Sequence, residues 1–287
     1  MNVQQSFGPP DGKGILYLVG TPIGNLEDIT FRAVRILKEV DWIAAEDTRH
    51  TRKLLNHFEI STHLVSYHEH NKLASGQELI HKLLQGQSVA LVSDAGLPAI
   101  SDPGAEIVRD AVEEGIRVVP IPGANAALSA LIISSLPTDQ FTFVGFLPRE
   151  QGKLRIALKQ LKTLQHSLLF YESPYRVEKT LQAMLEVWGN RRVVLGRELT
   201  KRFEEVVRGS IEEALDWLSR HSPQGEYCIV ASGGTTADLQ SELWWETLSI
   251  RKHYDAYFDQ GMERKAAMKQ VALDRGIPKR DVYAELI

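Results

Sequence analysis

The stretch VALVSDAGLPAISDPG, residues 89–104, decides the fold. Its opening VALVS (89–93) has the apolar, β-branched composition of a strand buried on both faces. The twelve residues from Ser93 to Gly104 hold two aspartates, two glycines and two prolines, more than a plain turn needs. Open α/β sheets bind ligands beyond the carboxyl ends of their strands, so such a loop is a candidate binding loop. Gly96 removes side-chain bulk and lets a ligand approach backbone amides, and Asp94 can accept hydrogen bonds from an amine or a ribose. Asp102 has two readings: the same role, or a cap on a helix beginning at Pro103.

Outward from this loop, short β-branched runs alternate with segments of helical period. The first series comprises ILYLVG (15–20), WIAAE (42–46), HLVSY (63–67), VALVS (89–93) and RVVPI (117–121). The second comprises FTFVGF (141–146), SLLFYE (167–172), VVLGRE (193–198), EEVVRG (204–209) and YCIVAS (227–232). Ten strands are too many for one compact core, so the expected organisation is an α/β chain with mostly parallel or mixed sheets in two domains, 14–122 and 138–234. An Ala-rich connecting helix lies within 123–137, and residues 1–13 form a loose tail. GGTTADLQSE (233–242) reads as a linker to a helical extension over 245–287. There, helical spacing from Ala266, a stop at Gly276, a start at Pro278 and a second stripe from Val282 resemble a helix-turn-helix.

With 43% hydrophobic and 24% charged residues the chain has ample core material, which excludes disordered and fibrous classes. The net charge of −4 excludes a bulk positive field, so polyanion contacts must be local. Three basic clusters offer them: Arg49, Arg52 and Lys53; residues 149–162, net +4, including Arg149, Lys153 and Arg155; and residues 262–281, net +3, including Arg264, Lys265, Lys279 and Arg280. A solvated helix face is the plain alternative for each. The single cysteine, Cys228, sits in an apolar run that reads as a buried strand. The apolar stretch 124–136 is too short to span a bilayer, the start lacks signal-peptide character, and a cytoplasmic location is expected.

Other strand ends carry similar loops. Gly20-Thr21-Pro22-Ile23-Gly24-Asn25 matches neither a dinucleotide fingerprint nor a phosphate-binding P-loop. Pro120-Ile121-Pro122-Gly123-Ala124-Asn125-Ala126-Ala127 sets small residues at a helix start, where a flat group such as adenine can lie against backbone. The second half supplies Phe170 to Arg176 and Gly196 to Lys201, whose Glu172, Arg197, Glu198 and Lys201 are hard to explain as core. Glu46-Asp47 ends the second strand at a helix start. His68 and His70 are a weak metal pair without further ligands nearby, and no metal site is expected.

Taken in order, TPIGNLEDIT, AAEDTRHT, LVSDAGLPAISDPG, VVPIPG, GFLP, FYESPYR and GRELTK resemble the tetrapyrrole methylase superfamily of S-adenosylmethionine-dependent enzymes. Within it they resemble the branch of bacterial 2′-O-ribose methyltransferases acting on a decoding-region cytidine of small-subunit ribosomal RNA. The resemblance runs from about Gly14 through the C-terminal helices, with Leu97 and Ala124-Asn125 departing from the usual residues. It implies a homodimer whose partner is the small ribosomal subunit or its RNA, with no role for DNA or membrane. It also implies cofactor contacts at Pro22, Asp94, Ala95, Gly96, Pro98, Ile100, Ser101, Pro122, Gly123, Asn125 and Ala126 of the first half. From the second half come Tyr171, Glu172, Arg197, Ile229, Val230 and Ala231. For a ribose 2′-hydroxyl attacking a sulfonium methyl, Glu172, Glu198 and Glu46 are candidate bases, and Lys201 and Arg197 candidate stabilisers of charge. Two alternatives stay open: a methylase of the same fold acting on a tetrapyrrole or a protein side chain, and a non-catalytic RNA-binding assembly factor.

Overall fold

The computed structural model describes residues 3–6, 12–69, 72–235, 245 and 247–286. Residues 236–242 of the expected linker, His70, and residues 1–2 and 7–11 of the tail lie outside the described residues. The chain forms two compact units, one of residues 1–158 with 166–232 and one of residues 159–165 with 233–287.

The larger unit is built on two five-stranded sheets. The first contains β1 (Ile15–Val19), β2 (Trp42–Ala45), β3 (His63–Ser66), β4 (Val89–Val92) and β5 (Arg117–Ile121), all parallel, in the order β3-β2-β4-β1-β5. Connecting helices α1 (Phe31–Glu39), α2 (Thr48–His57), α3 (Lys72–Leu84) and α4 (Ala105–Glu113) supply apolar faces, and separate cores result. One gathers Ile36, Leu37, Ile43 and Leu55, the other Leu16, Tyr67, Leu79 and Leu91. This double cover is why β4 is apolar at every position. Thr30 caps α1 by accepting from the Ala33 N–H at 3.0 Å. Pro120 is tolerated because β5 is an edge strand. The Gln4 amide group pairs with that edge, at 2.9 Å to the Val118 carbonyl and 2.8 Å from its N–H.

After α5 (Ala126–Ile132) come β6 (Phe141–Phe146), α6 (Gln151–Leu161), β7 (Ser167–Glu172) and α7 (Val177–Trp188). Then follow β8 (Arg192–Arg197), β9 (Glu205–Ser210), α8 (Ile211–Arg220) and β10 (Tyr227–Ala231). The second sheet has the order β6-β7-β10-β8-β9; only β6 and β7 are parallel, and β10 runs antiparallel to both neighbours. Ala127, Ala130 and Leu131 of α5 pack on Leu169, Val194 and Val230 of this sheet.

The smaller unit holds α9 (Ile250–Asp259), α10 (Arg264–Arg275) and α11 (Lys279–Leu286) around Met268, Val271, Ala272 and Val282. Gly276 closes α10 in the left-handed conformation at φ 62°, as expected of a stop. No helix among the described residues is long and apolar enough to cross a membrane.

Candidate active site

The order of the first sheet places β1 and β4 side by side, with their onward connections leaving in opposite directions. That is the switch point at which a crevice opens beyond the strand ends. Two loops are stitched together there. Thr21 and Gly96 exchange backbone hydrogen bonds at 2.9 and 3.1 Å, and Gly20 lies so close to Gly123 that a Cβ would stand 2.8 Å from the Gly123 Cα. Gly20 and Gly123 are therefore required for backbone-on-backbone packing between the β1 and β5 loops.

Beyond these loops is a cavity of about 470 Å³ within the larger unit, walled by residues of both sheets. The first sheet contributes Ile23, Glu46, Asp94 to Leu97, Ile100 to Asp102, and Asn125 and Ala126. Its second wall includes Phe146, Tyr171 to Pro174, Gly196, Glu198, Leu199, Lys201 and Glu226 to Cys228. Of the expected cofactor contacts, Asp94, Ala95, Gly96, Ile100, Ser101, Asn125, Ala126, Tyr171 and Glu172 are brought together here, as are the candidate catalytic groups Glu46, Glu198 and Lys201. Pro22, Pro98, Pro122 and Gly123 lie in the same loops but off the lining.

Several backbone positions around the cavity are held in left-handed conformations that side chains disfavour: Ala99 (φ 67°), Ser101 (φ 63°), Glu198 (φ 50°) and Thr200 (φ 67°). Each costs of order 1–3 kcal/mol, and such residues concentrate where a site must be preorganised. The Asp102 alternative resolves here. The helix after this loop begins at Ala105 with Gly104 at its cap and no side-chain cap hydrogen bond, so Asp102 does not cap it and lines the cavity instead.

The walls are strongly acidic. Six carboxylates, on Glu46, Asp94, Asp102, Glu172, Glu198 and Glu226, face one ammonium, on Lys201. Burial, then the neighbouring Glu46 charge, pushes Asp102 up to about 6 against a hydrogen bond from Ser93. Burial and the Asp94 charge likewise raise Glu46. Asp94 accepts the Asp47 N–H at 3.0 Å, which ties the β4 loop to the start of α2. On the opposite wall Lys201 bridges Glu198 at 2.9 Å and Glu226 at 3.0 Å. Burial alone would raise Glu198, but the Lys201 ammonium and the Glu226 N–H outweigh it and hold the carboxyl below its ordinary value. The Lys201 stem lies over Gly24, whose absent Cβ would otherwise meet Cγ of Lys201 at 2.3 Å.

Glu172 lines the cavity but is almost fully engaged. Its carboxylate accepts the Ser173 N–H at 2.9 Å and the Thr180 hydroxyl at 2.7 Å, and Arg176 stands 3.4 Å away. Arg197 points elsewhere: it donates to the Gln224 carbonyl at 2.9 Å and Glu205 at 3.1 Å and is not part of the lining, whereas its neighbours Gly196 and Glu198 are. Ile229, Val230 and Ala231 are buried inside β10. Because β10 is antiparallel, with Tyr227 opposite Glu172 and Ala231 opposite Leu168, its first residues Tyr227 and Cys228 reach the cavity. Burial pushes the Cys228 thiol up to about 12 and also raises the Tyr227 hydroxyl.

The basic candidates are all exposed and lie off this lining. Arg49 pairs with Asp47 at 2.9 Å, Lys153 with Glu150 at 2.8 Å, Arg155 with Glu186 at 2.7 Å and Arg280 with Asp281 at 3.3 Å. Arg52, Lys53, Arg149, Arg264, Lys265 and Lys279 face solvent. One basic residue of the 262–281 cluster does not: Arg275 donates to His253 at 3.1 Å and to the Trp245 carbonyl at 3.0 Å.

Comparison with known proteins bears on this arrangement. Ribosomal RNA small subunit methyltransferase I of Halalkalibacterium halodurans is 56% identical, covering 99% of this chain and 98% of its own. The protein of the same name in Bacillus subtilis is 52% identical, over 98% of this chain and 96% of its own. Among solved structures, uroporphyrin-III C-methyl transferase from Thermus thermophilus, complexed with S-adenyl homocysteine, shares the fold. Its TM-score is 0.55 at 19% identity, covering 79% of this chain and 100% of that one. The family model for Tetrapyrrole (Corrin/Porphyrin) Methylases matches residues 15–215, which span every element lining the cavity except the 226–228 edge. The chain belongs to the tetrapyrrole (corrin/porphyrin) methylase family.

Proposed function

We propose that this protein transfers a methyl group from S-adenosylmethionine to a ribose 2′-hydroxyl of a cytidine in the decoding region of small-subunit ribosomal RNA. We further propose that it acts in the cytoplasm as a homodimer whose two domains are the α/β halves 14–122 and 138–234. The near full-length likeness to ribosomal RNA small subunit methyltransferases supports the substrate class. The observation that carries the chemistry is the acidic cavity at the β1–β4 switch point, walled from both sheets.

S-adenosylmethionine fits these walls. It has net positive charge, which six carboxylates against one ammonium attract, and a volume of about 470 Å³ lies in the range typical of small-molecule sites. When bound it supplies an electrophilic methyl on sulfur. Gly96 and Ala126 give its flat and polar parts access to backbone, and Asp94 and Asp102 offer acceptors for hydroxyl and amine groups. The remaining work belongs to the protein. Orientation of the ribose against the cavity can contribute roughly 7–11 kcal/mol at the favourable limit. The Asp102 carboxyl, raised to about 6, is the group suited to accept a proton near neutral pH, and burial and the Asp94 charge shift Glu46 in the same direction. Lys201, held charged by Glu198 and Glu226, opposes negative charge developing on oxygen. Exposed basic side chains off the cavity, such as Arg52, Lys53 and Arg149, with Arg264, Lys265 and Lys279 on the C-terminal helices, would meet RNA phosphates.

The test is direct. Small subunits from a strain lacking the enzyme are incubated with the protein and labelled S-adenosylmethionine, and the modified nucleotide is mapped by mass spectrometry. The expected result is one 2′-O-methylcytidine in the decoding region. Label in protein, in a tetrapyrrole or nowhere would sink the proposal, and tight cofactor binding without transfer would favour an assembly factor.

A further inference from the structure

The feature of the cavity left unused by this chemistry is an aromatic ring at its mouth. Side chains three apart along a regular strand point to opposite faces. In β6, however, Phe143 pairs with Leu169 and Phe146 with Tyr171, two β7 residues on one face, because the register slips between Phe143 and Gly145. Gly145 makes the slip possible at φ 72°, and a Cβ there would come within 3.0 Å of Ser101 Oγ on the opposite wall. The bulge therefore turns Phe146 onto the same face as Phe143. A row of rings results, with Phe143 edge-on to Tyr171 at 5.1 Å and Phe146 tilted against Tyr171 at 5.7 Å. Phe143 and Tyr171 are half-buried against the core, Tyr171 also reaching the cavity wall, whereas Phe146 is 58% exposed and lines the cavity. Its position is fixed from behind: Leu147 is buried, and Arg176 donates to the Leu147 and Pro148 carbonyls at 2.9 and 3.0 Å.

We propose that Phe146 is the platform on which the base of the target nucleotide stacks when its ribose enters the cavity. The inference rests on the RNA methylation proposed above and adds how the nucleotide is held. The acidic walls disfavour a run of phosphates, so the strand stays at the mouth and a single extruded nucleotide turns its ribose and base inward, its own flanking phosphates held at the entrance. An open ring at the mouth, rigidly backed, suits an unstacked base, whose flat face any aromatic side chain can cover. The small residues Gly96 and Ala126 on the opposite wall offer the adenine of the cofactor a different place.

Three variants test this with undermethylated small subunits as substrate and calorimetry for the cofactor. Phe146→Ala and Phe146→Leu should each lower kcat/KM for subunits about tenfold, and Phe146→Trp should restore it to within about threefold. The dissociation constant for S-adenosylmethionine should stay within about twofold in all three. A leucine variant as active as the wild type would overturn the inference, because it would show that only apolar bulk is needed. So would a cofactor affinity that falls in step with activity, which would put the adenine ring on Phe146. A wild-type protein that methylates no subunit would instead sink the RNA reading itself, whatever the variants do.

Discussion

At Gly96 the backbone has φ 80°, and a Cβ added there would meet only the Ala124 carbonyl and Ile23 at 3.5 Å, ordinary contact distances. The sequence alone suggests that bulk at this position obstructs the ligand; the structure locates the constraint in the backbone conformation as well. A β-branched residue forced to positive φ is a genuine outlier, with strain of order 1–3 kcal/mol at a loop that must present its amides. Gly96→Val is expected to weaken S-adenosylmethionine binding about tenfold or more while the circular dichroism of the fold is retained, and undiminished affinity by calorimetry would show the pocket to be misplaced. Asp102 gives a second prediction at this scale. Its carboxyl, raised to about 6, is ionised above that pH and attracts a cation, and is neutral below it. Affinity for the positively charged cofactor should therefore fall as pH drops from 7 to 5, by about fivefold if the attraction is about 1 kcal/mol, and Asp102→Asn should flatten this limb. A slope unchanged in the variant would assign the titration to another group.

Between elements, Glu172 illustrates how a motif residue can be structural and lie at a site at once. It ends β7 and accepts hydrogen bonds from Ser173 at the turn and Thr180 on α7, so its removal leaves buried donors without acceptors. Glu172→Ala should cost roughly 2–3 kcal/mol of stability, read as a lower midpoint in urea, in addition to any loss of rate. Lys201→Ala, by contrast, should lower kcat at least tenfold with a nearly unchanged midpoint, since its partners Glu198 and Glu226 retain access to water. Equal effects of the two substitutions on both measurements would refute the distinction. The strands were legible because β-branched runs and turn residues are local signals: all ten lie within a residue of their expected bounds. Strand direction is not local. Nothing in YCIVA says that β10 runs antiparallel between β7 and β8, so its composition does not tell that Tyr227 and Cys228 reach the cavity rather than Ile229–Ala231, the residues implied by the resemblance. The facing of Phe146 is not legible in the sequence either, since it depends on a bulge defined by the partner strand. Asp102 was ambiguous because a carboxylate before Pro-Gly can serve as a cap or a ligand, and only the helix start distinguishes them.

In the molecule as a whole, the net charge of −4 requires that RNA be met by local basic patches, and the C-terminal helices show which of their residues are available. Arg275 is committed to the interior of that unit, donating to His253, whose Nε2 stands 3.2 Å from Asp274. Burial holds His253 below its ordinary pKa, against the pull of Asp274 and aided by Arg275. A histidine depressed in the folded state takes up its proton more readily when unfolded, so stability is intact above about pH 6.5 and is lost as pH falls through that value. Melting of the wild type should drop between pH 7 and 5.5, and His253→Gln should lessen the drop; an equal drop in both would exclude the histidine. Arg264, Lys265, Lys279 and Arg280 are exposed instead, and neutralising them leaves the core of Met268, Val271, Ala272 and Val282 untouched. If these four meet phosphates, each contact releases a counterion on binding, and the slope of log affinity against log salt carries about 0.7–0.9 per contact. Replacing all four by glutamine should reduce that slope by about 3, weaken subunit binding most at low salt, and leave S-adenosylmethionine affinity within about twofold of the wild type. An unchanged slope in the folded variant would mean that the helices pack without touching RNA. The phosphate contacts would then be sought on α2 and just before α6, where Arg52, Lys53 and Arg149 face solvent on the methylase fold itself.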